Sequence, residues 1–461
     1  MKEKILQTLK DLRAYALTKG CEVDIFLREE ESYLMRFANS AISLNTNEHL
    51  IRLDITAYID RQRASYALIT DLSKLDEMKK GVDVAADMVK HAQPLSYQPT
   101  IPVFTESFAD ESACDPALAQ ISNEERLAFF NIVAAGLETD DVKLSGIFSN
   151  GANTIAQINT KSEHTQYFKM SDAQVTVVLA HATLKWEVQA EASAQSKADL
   201  DAASLHRDLV FLLDHYQHDA PVQMPLGEYD VVFGPAAIAD MINFMNWIGY
   251  NGGSMKRGFS FLGEDKVGQK VFSDKFTLTD DPTNLQTFPF QRDLTGIVRK
   301  PWPLFGQGVF KGFIWFQDDA DEFGVKPTGH TVMHRSLVVK PGEKDVSTLE
   351  ELVKQPRERD ILYVPFLHYM NIVNPSKGIV TASSRFGALL LKKDGSVAVP
   401  YNVRLTQSLL DVFGDKIAWL SKTQVAYNTS QSYGARNATA IVVPAFMQVN
   451  GLEISHSNSS Y

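Results

Sequence analysis

Hydrophobic positions along the chain change period several times, and each change predicts an element. Ile5, Leu9, Leu12 and Ala16 recur at helical spacing, with Gly20 as the stop. Val23, Ile25 and Leu27 then alternate with Asp24, Phe26 and Arg28, as Ile51, Leu53, Ile55 and Ala57 do with Arg52, Asp54 and Thr56. A period of two belongs to half-buried strands, and Tyr33 to Ala41 is expected to pair between them. Leu72, Leu75, Met78, Val82, Ala85 and Val89 return to helical spacing. Residues 1–93 therefore read as helix, strands, helix.

An aperiodic segment with Pro94, Pro99 and Pro102 reads as a linker into a second unit, 94–220. There Ser122 and Glu125 form a capping box for a helix to Gly136. Asn150-Gly151 is a predicted hairpin turn between Leu144–Ser149 and Ala152–Thr160. Val175–Leu179 and Thr183–Ala190 continue the sheet, and Leu200–Tyr216 is a helix of apolar and charged faces. The order helix, strands, helix thus occurs twice, which suggests duplication although no residue-level repeat accompanies it.

Past Pro221 and Pro225 the chain turns strand-rich, giving a third unit, 221–461, and an overall α+β class. Lys311-Gly312, Asp394-Gly395 and Asn450-Gly451 are predicted hairpin turns. Ser347 and Glu350 predict a second capping box, for a helix to Lys354, and Leu405–Phe413 predicts one more helix, ended by Gly414. The polar tail from Asn450 is expected to fray.

The most informative stretch begins at Gly227. A short apolar strand, Tyr229–Phe233, turns through Gly234-Pro235 into a helix that should run to about Tyr250. Proline suits the first helical position because its missing N–H would be unpaired there. The polar exceptions Asp240, Asn243 and Asn246 fall three apart, so the helix is buried nearly all round with one polar edge. It should stop at Asn251-Gly252-Gly253, just before Arg257. Such an edge running into a glycine-rich turn could carry a site, or could simply be the wet rim of a core helix.

Composition narrows the function. The 461 residues are 44% apolar and 22% charged, ordinary for a globular protein, and the formal charge of -11 argues against direct nucleic-acid binding. No segment reaches the roughly 20 apolar residues needed to span a bilayer. Cys21 and Cys114 are too few for a disulfide framework. With no signal-peptide pattern between Met1 and Gly20, a cytoplasmic location is the expectation.

Strand, Gly-Pro, apolar helix and Gly-Gly, followed by Arg257-Gly258-Phe259-Ser260-Phe261-Leu262, Gly268-Gln269-Lys270-Val271-Phe272-Ser273 and Asp280-Asp281-Pro282-Thr283, resemble the C-terminal domain of the TldD/PmbA family, once described as modulators of DNA gyrase. In the TldD branch this helix bears His-Glu-x-x-x-His and a distant Cys completes a zinc peptidase site; the TldE/PmbA branch lacks them. Counted back from Gly258, the motif falls on Asn243, Phe244 and Ile248, and the family's Cys-Gly near Tyr433-Gly434. The resemblance is therefore to the TldE/PmbA branch. It implies a subunit with no cofactor and no catalytic residue of its own, partnered by a TldD-like zinc metallopeptidase chain that acts on extended or unfolded peptides. Arg257, His368 and Asn371 are its candidate peptide-cleft residues. A stand-alone homo-oligomer, such as a homodimer, that binds peptides without cutting them is the alternative.

Other constellations weigh less. His330 and His334 are four apart, but the surrounding sequence favours extended chain, where that offset separates side chains by roughly 13 Å. An autonomous metal enzyme built on His330, His334 or His368 is accordingly the weakest reading. Asp318, Asp319, Asp321 and Glu322 lack calcium-loop spacing and read as a solvated turn. His215 and His218 suit the C-terminal dipole of their helix.

Overall fold

The computed structural model describes residues 1–217, 220–430 and 436–458. Helix α1 (Lys2–Ala16) leads into β1 (Glu22–Ala38), β2 (Ala41–Ile59), β3 (Gln62–Thr70) and α2 (Leu75–Met88). After β4 (Phe108–Asp110) and α3 (Pro116–Ala119) come α4 (Asn123–Ala134), β5 (Val142–Asn159), β6 (Ser162–His181), β7 (Glu187–Ala194) and α5 (Ala202–Tyr216). The strands make one sheet in the order β3-β2-β1-β5-β6, with β4 and β7 both on β6. Each half contributes a three-stranded meander flanked by helices, and the halves meet at the antiparallel pair β1–β5. The two expected units thus share a sheet, and the doubled order seen in the sequence is present in the fold.

Two expectations fail within this sheet. Tyr33–Ala41 is no separate strand: β1 continues to Ala38 and turns to β2 at Asn39-Ser40, both at positive φ. Asn150-Gly151 is not a hairpin turn but lies mid-strand in β5, opposite Tyr33 and Ser32, and β5 turns to β6 after Asn159. Asn150 is fully buried, accepting from Arg126 and donating to the Leu118 and Ala119 carbonyls, and any Cβ at 151 would strike the Glu31 carbonyl. Asn-Gly served buried bonding and close strand approach, two demands that local turn statistics do not encode.

The C-terminal part opens with β8 (Gly227–Phe233), α6 (Pro235–Ile248) and α7 (Gly252–Lys256), then β9 (Leu278–Asp280), β10 (Trp302–Gly306), β11 (Val309–Phe310), α8 (Gln317–Phe323), β12 (Leu337–Val339) and α9 (Leu349–Lys354). It continues through β13 (Ile361–Val364), β14 (Phe366–Asn374), β15 (Ile379–Arg385), β16 (Leu389–Leu391), β17 (Val397–Ala398) and β18 (Asn402–Ser408). Last come α10 (Leu409–Val412), β19 (Ile417–Leu420), β20 (Gln424–Asn428), β21 (Ala440–Pro444) and β22 (Met447–Asn458). One sheet runs β11-β10-β9-β12-β21-β20; the other runs β14-β15-β18-β22-β8-β13-β16-β17, with β19 on β22. Helix α6 packs on β14 of one sheet and on β20 and β21 of the other, and its apolar side chains enter the core the two sheets share.

Punctuation succeeded unevenly here. Asp394-Gly395 does turn β16 into β17, but the β10–β11 turn is Gln307-Gly308, not Lys311-Gly312. Asn450-Gly451 is a bulge inside β22, whose pairing with β8 and β18 holds the tail in the sheet to Asn458 rather than leaving it frayed. Leu405–Phe413 is mostly strand: β18 runs to Ser408 and only Leu409–Val412 is helical. The second capping box exists one residue on, with Thr348 capping and Glu351 closing it. No helix among the described residues is long and apolar enough to cross a membrane.

Candidate functional site

Helix α6 starts with Gly234 as cap and Pro235 in its first turn, and buries Ile238, Met241, Ile242, Met245 and Ile248. It ends at Ile248, two residues short of the expectation, because Asn251 caps a new helix, α7, instead of closing α6. A side chain at Gly252 would collide with the Trp315 ring and one at Gly253 with the Asp319 carboxylate, so the two glycines let α7 lie directly on α8. The polar edge is present: Asp240, Asn243 and Asn246 are all half-buried.

The three positions counted from the zinc motif differ sharply. Asn243 is half-buried, Phe244 packs against the core edge and against Trp247 at 5.6 Å between centroids, and Ile248 is only 2% exposed. Tyr433 lies outside the described residues. A zinc ion needs imidazole, thiolate or carboxylate donors, and metal-assisted hydrolysis needs a base for the bound water. A phenyl ring, an aliphatic side chain and one amide do not fit that ion.

Arg257 does not project freely. Its guanidinium bonds Asp319 at 2.8 Å and also Glu322, both on α8. The acidic run expected as a solvated turn is this helix: Asp318 pairs with Arg63 of β3 at 2.8 Å, and Asp321 accepts from the Thr100 amide at 2.7 Å. Each acid has a cationic or N–H partner distant in sequence, which composition alone does not reveal.

His330 and His334 sit outside helix and strand, and both are buried. His330 Nε2 contacts Asp280 Oδ2 at 3.0 Å, whereas His334 Nε2 donates to the Phe288 carbonyl at 2.7 Å. Asp280 also receives Arg299 at 2.5 Å and the Ser336 amide at 2.7 Å. Burial pushes the Asp280 carboxyl upward, but Arg299 and His330 more than reverse this and hold it well below the ordinary range. Burial lowers His334 to about 4. The sequence offered Asp280 only as part of a motif, and nothing there pointed to Arg299.

His368 and Asn371 lie on β14, the edge of the larger C-terminal sheet. The His368 ring stands 4.1 Å from that of Tyr369 and 3.2 Å from Arg385 Nη1; burial and that cation lower its pKa. Asn371 is exposed, as is Tyr369 at 74%. His215 closes α5, and His218 lies outside the described residues. The one group of potential metal donors among the described residues is Glu29, Glu31 and His49 on β1–β2; it contains none of His330, His334 and His368.

Beside α6 lies a cavity the sequence did not suggest, about 430 Å³, bounded by β7, α5, β13, β20 and the start of α6. Glu191 enters it from β7, Tyr363 from β13 and Tyr427 from β20. Burial, reinforced by Asp240, raises Glu191 to about 8, and burial alone raises Asp240 to about 7.

Comparison with known proteins follows the same lines. A model described as the PmbA/TldA metallopeptidase C-terminal domain matches residues 226–456. No curated protein matches the sequence. Among solved structures, one described as TldE from Thermococcus kodakarensis superposes with a TM-score of 0.78 at 16% identity, covering 97% of this chain and 100% of that one. A putative modulator of a DNA gyrase from Thermotoga maritima gives 0.75 at 16% identity, over 97% and 99%. A putative modulator of DNA gyrase from Bacteroides thetaiotaomicron gives 0.79 at 16% identity, over 97% and 98%. At that identity the likeness is one of fold.

Proposed function

The chain belongs to the PmbA/TldD family, through a C-terminal domain that spans residues 226–456, and from that membership we propose that it is the zinc-free, TldE/PmbA-like subunit of a cytosolic metallopeptidase. The observation that carries the reading is the face of α6. Ile248 lies in the hydrophobic core and Phe244 packs against its edge, where a catalytic relative would need an imidazole and a base. The hydrolytic ion then belongs to a TldD-like partner chain.

Two features support a role in holding substrate or partner. Trp247, next to these positions, is 62% exposed and packs at a tilt against Phe244, an aromatic surface suited to burial against another chain. Strand β14 has a free edge with exposed side chains, to which an extended peptide can add by main-chain hydrogen bonds, with little sequence preference. Free Cys21 and Cys114 suit a reducing compartment.

Affinity capture of the chain from its native cytosol tests the assignment. The expected co-purifying protein is a paralogue carrying His-Glu-x-x-x-His, and peptide hydrolysis should appear only with that protein present. Recovery of the chain as a homo-oligomer that binds peptides without such a paralogue would replace the subunit reading with the stand-alone one.

A further inference from the structure

The cavity beside α6 lies where the N-terminal sheet layer meets the C-terminal domain, and its walls include Phe211, Phe366, Phe386 and Phe446. Into this aromatic chamber the chain places acceptors without cations. Among the described residues Glu191 has one hydrogen bond, from Gln189 Nε2 at 3.2 Å, and Asp240, near enough to repel its charge but outside the lining, has neither an ion pair nor a side-chain hydrogen bond. Tyr363 is 7% exposed, and its hydroxyl approaches Gly234 at the start of α6 with no hydrogen-bond partner among the described residues. Tyr427 likewise faces Glu191 and Asp240 without one. The single basic residue of the lining, Arg207, is exposed and stands 3.9 Å from Asp201.

The Tyr363 phenol is more than nine-tenths buried while its hydroxyl opens on the cavity, so whatever fills the cavity, water or ligand, supplies its partner. Aromatic faces attract a cation, and carboxylates complete its pairing. We propose that this cavity binds an alkylammonium or alkylguanidinium group, carried either by a free amine or by a basic side chain of an extended peptide. The inference goes beyond the subunit assignment, because it concerns groups that take no part in the zinc argument.

Protonation gives the site a signature. With Glu191 raised to about 8, the empty cavity retains a proton near neutrality, and an incoming cation favours its release. Affinity therefore climbs from pH 6 to pH 8. The other titratable or charged groups facing the cavity are Asp208, Tyr363, Tyr427, Arg207 and Glu350. Both phenols are shifted upward and stay protonated across that window.

The test is calorimetric titration of the full chain with agmatine, with the tripeptide Ala-Lys-Ala and with its Nε-acetylated form, at pH 6 and pH 8. Expected are saturable binding of at least one charged probe, about tenfold tighter at pH 8, proton release on binding, and a loss of about tenfold or more in Glu191→Gln. Agmatine binding alone identifies a free amine, and tripeptide binding a peptide side chain. If Glu191→Gln does not fold, Tyr363→Phe, which removes only the unpartnered hydroxyl, is expected to weaken binding and carries the same test. The proposal is overturned if neither charged probe saturates at pH 8, if the acetylated peptide binds equally well, or if the folded variants bind like the parent chain.

Discussion

Asp280 and Glu191 are both carboxyl groups drawn out of water, yet the chain treats them in opposite ways. Asp280 sits in the smaller C-terminal sheet with a guanidinium, an imidazole and a backbone N–H on its two oxygens, and it stays ionised. Glu191 sits at the seam between sheet layers with one amide, and burial, reinforced by a second carboxyl nearby, pushes it towards neutrality. A buried charge that is fully paired belongs to the fold. One left half-paired beside a cavity is available to a ligand.

Removing the carboxylate from the first region gives the largest expected effect. Asp280→Ala leaves Arg299 and His330 without their partner and should cost about 3–5 kcal/mol in urea denaturation; a change under about 1 kcal/mol would erase the contrast. Next comes α6 itself, where Ile248→Ala should cost about 2–5 kcal/mol. Trp247→Ala, one residue away but exposed, should stay within about 0.5 kcal/mol while weakening partner capture. Equal losses at both positions would mean that α6 is not divided into core and docking faces.

The last prediction is the sharpest, because the two regions respond to pH with opposite sign. The pKa of Asp280 is depressed on folding, so its contribution is present above the unfolded carboxylate value and is lost as pH falls towards the folded one. That of Glu191 is raised, so its contribution is present below the unfolded value and is lost as pH rises towards about 8. Thermal melts of Glu191→Gln should therefore match the parent at pH 5 and exceed it at pH 8.5. A variant that is less stable at pH 8.5 would show that Glu191 is a structural ion after all.

The class, the longer helices α1, α2, α4 and α5, and the strand-helix unit from Gly227 were legible because periodicity and capping report local burial directly. Ser122 with Glu125 and Pro235 at the start of α6 are cases where a local bond fixes the element. Asn150-Gly151 and Asn450-Gly451 misled for the converse reason: the same dipeptide can serve a turn, a buried polar network or a bulge, and only the partner strands decide. The acidic helix α8 and the pair Asp280–Arg299 depend on residues distant in sequence, to which spacing is blind. The site was legible only as a set of missing donors, and the cavity not at all, since its walls come from both sheet layers.

The account depends most on α6 supplying wall rather than donors, and zinc analysis of the purified full chain, coupled to a peptide-hydrolysis assay, tests that directly. Substoichiometric zinc and no hydrolysis until a His-Glu-x-x-x-His paralogue is added is the predicted result. One tightly held zinc per chain, with hydrolysis by the chain alone that a chelator abolishes, would contradict it.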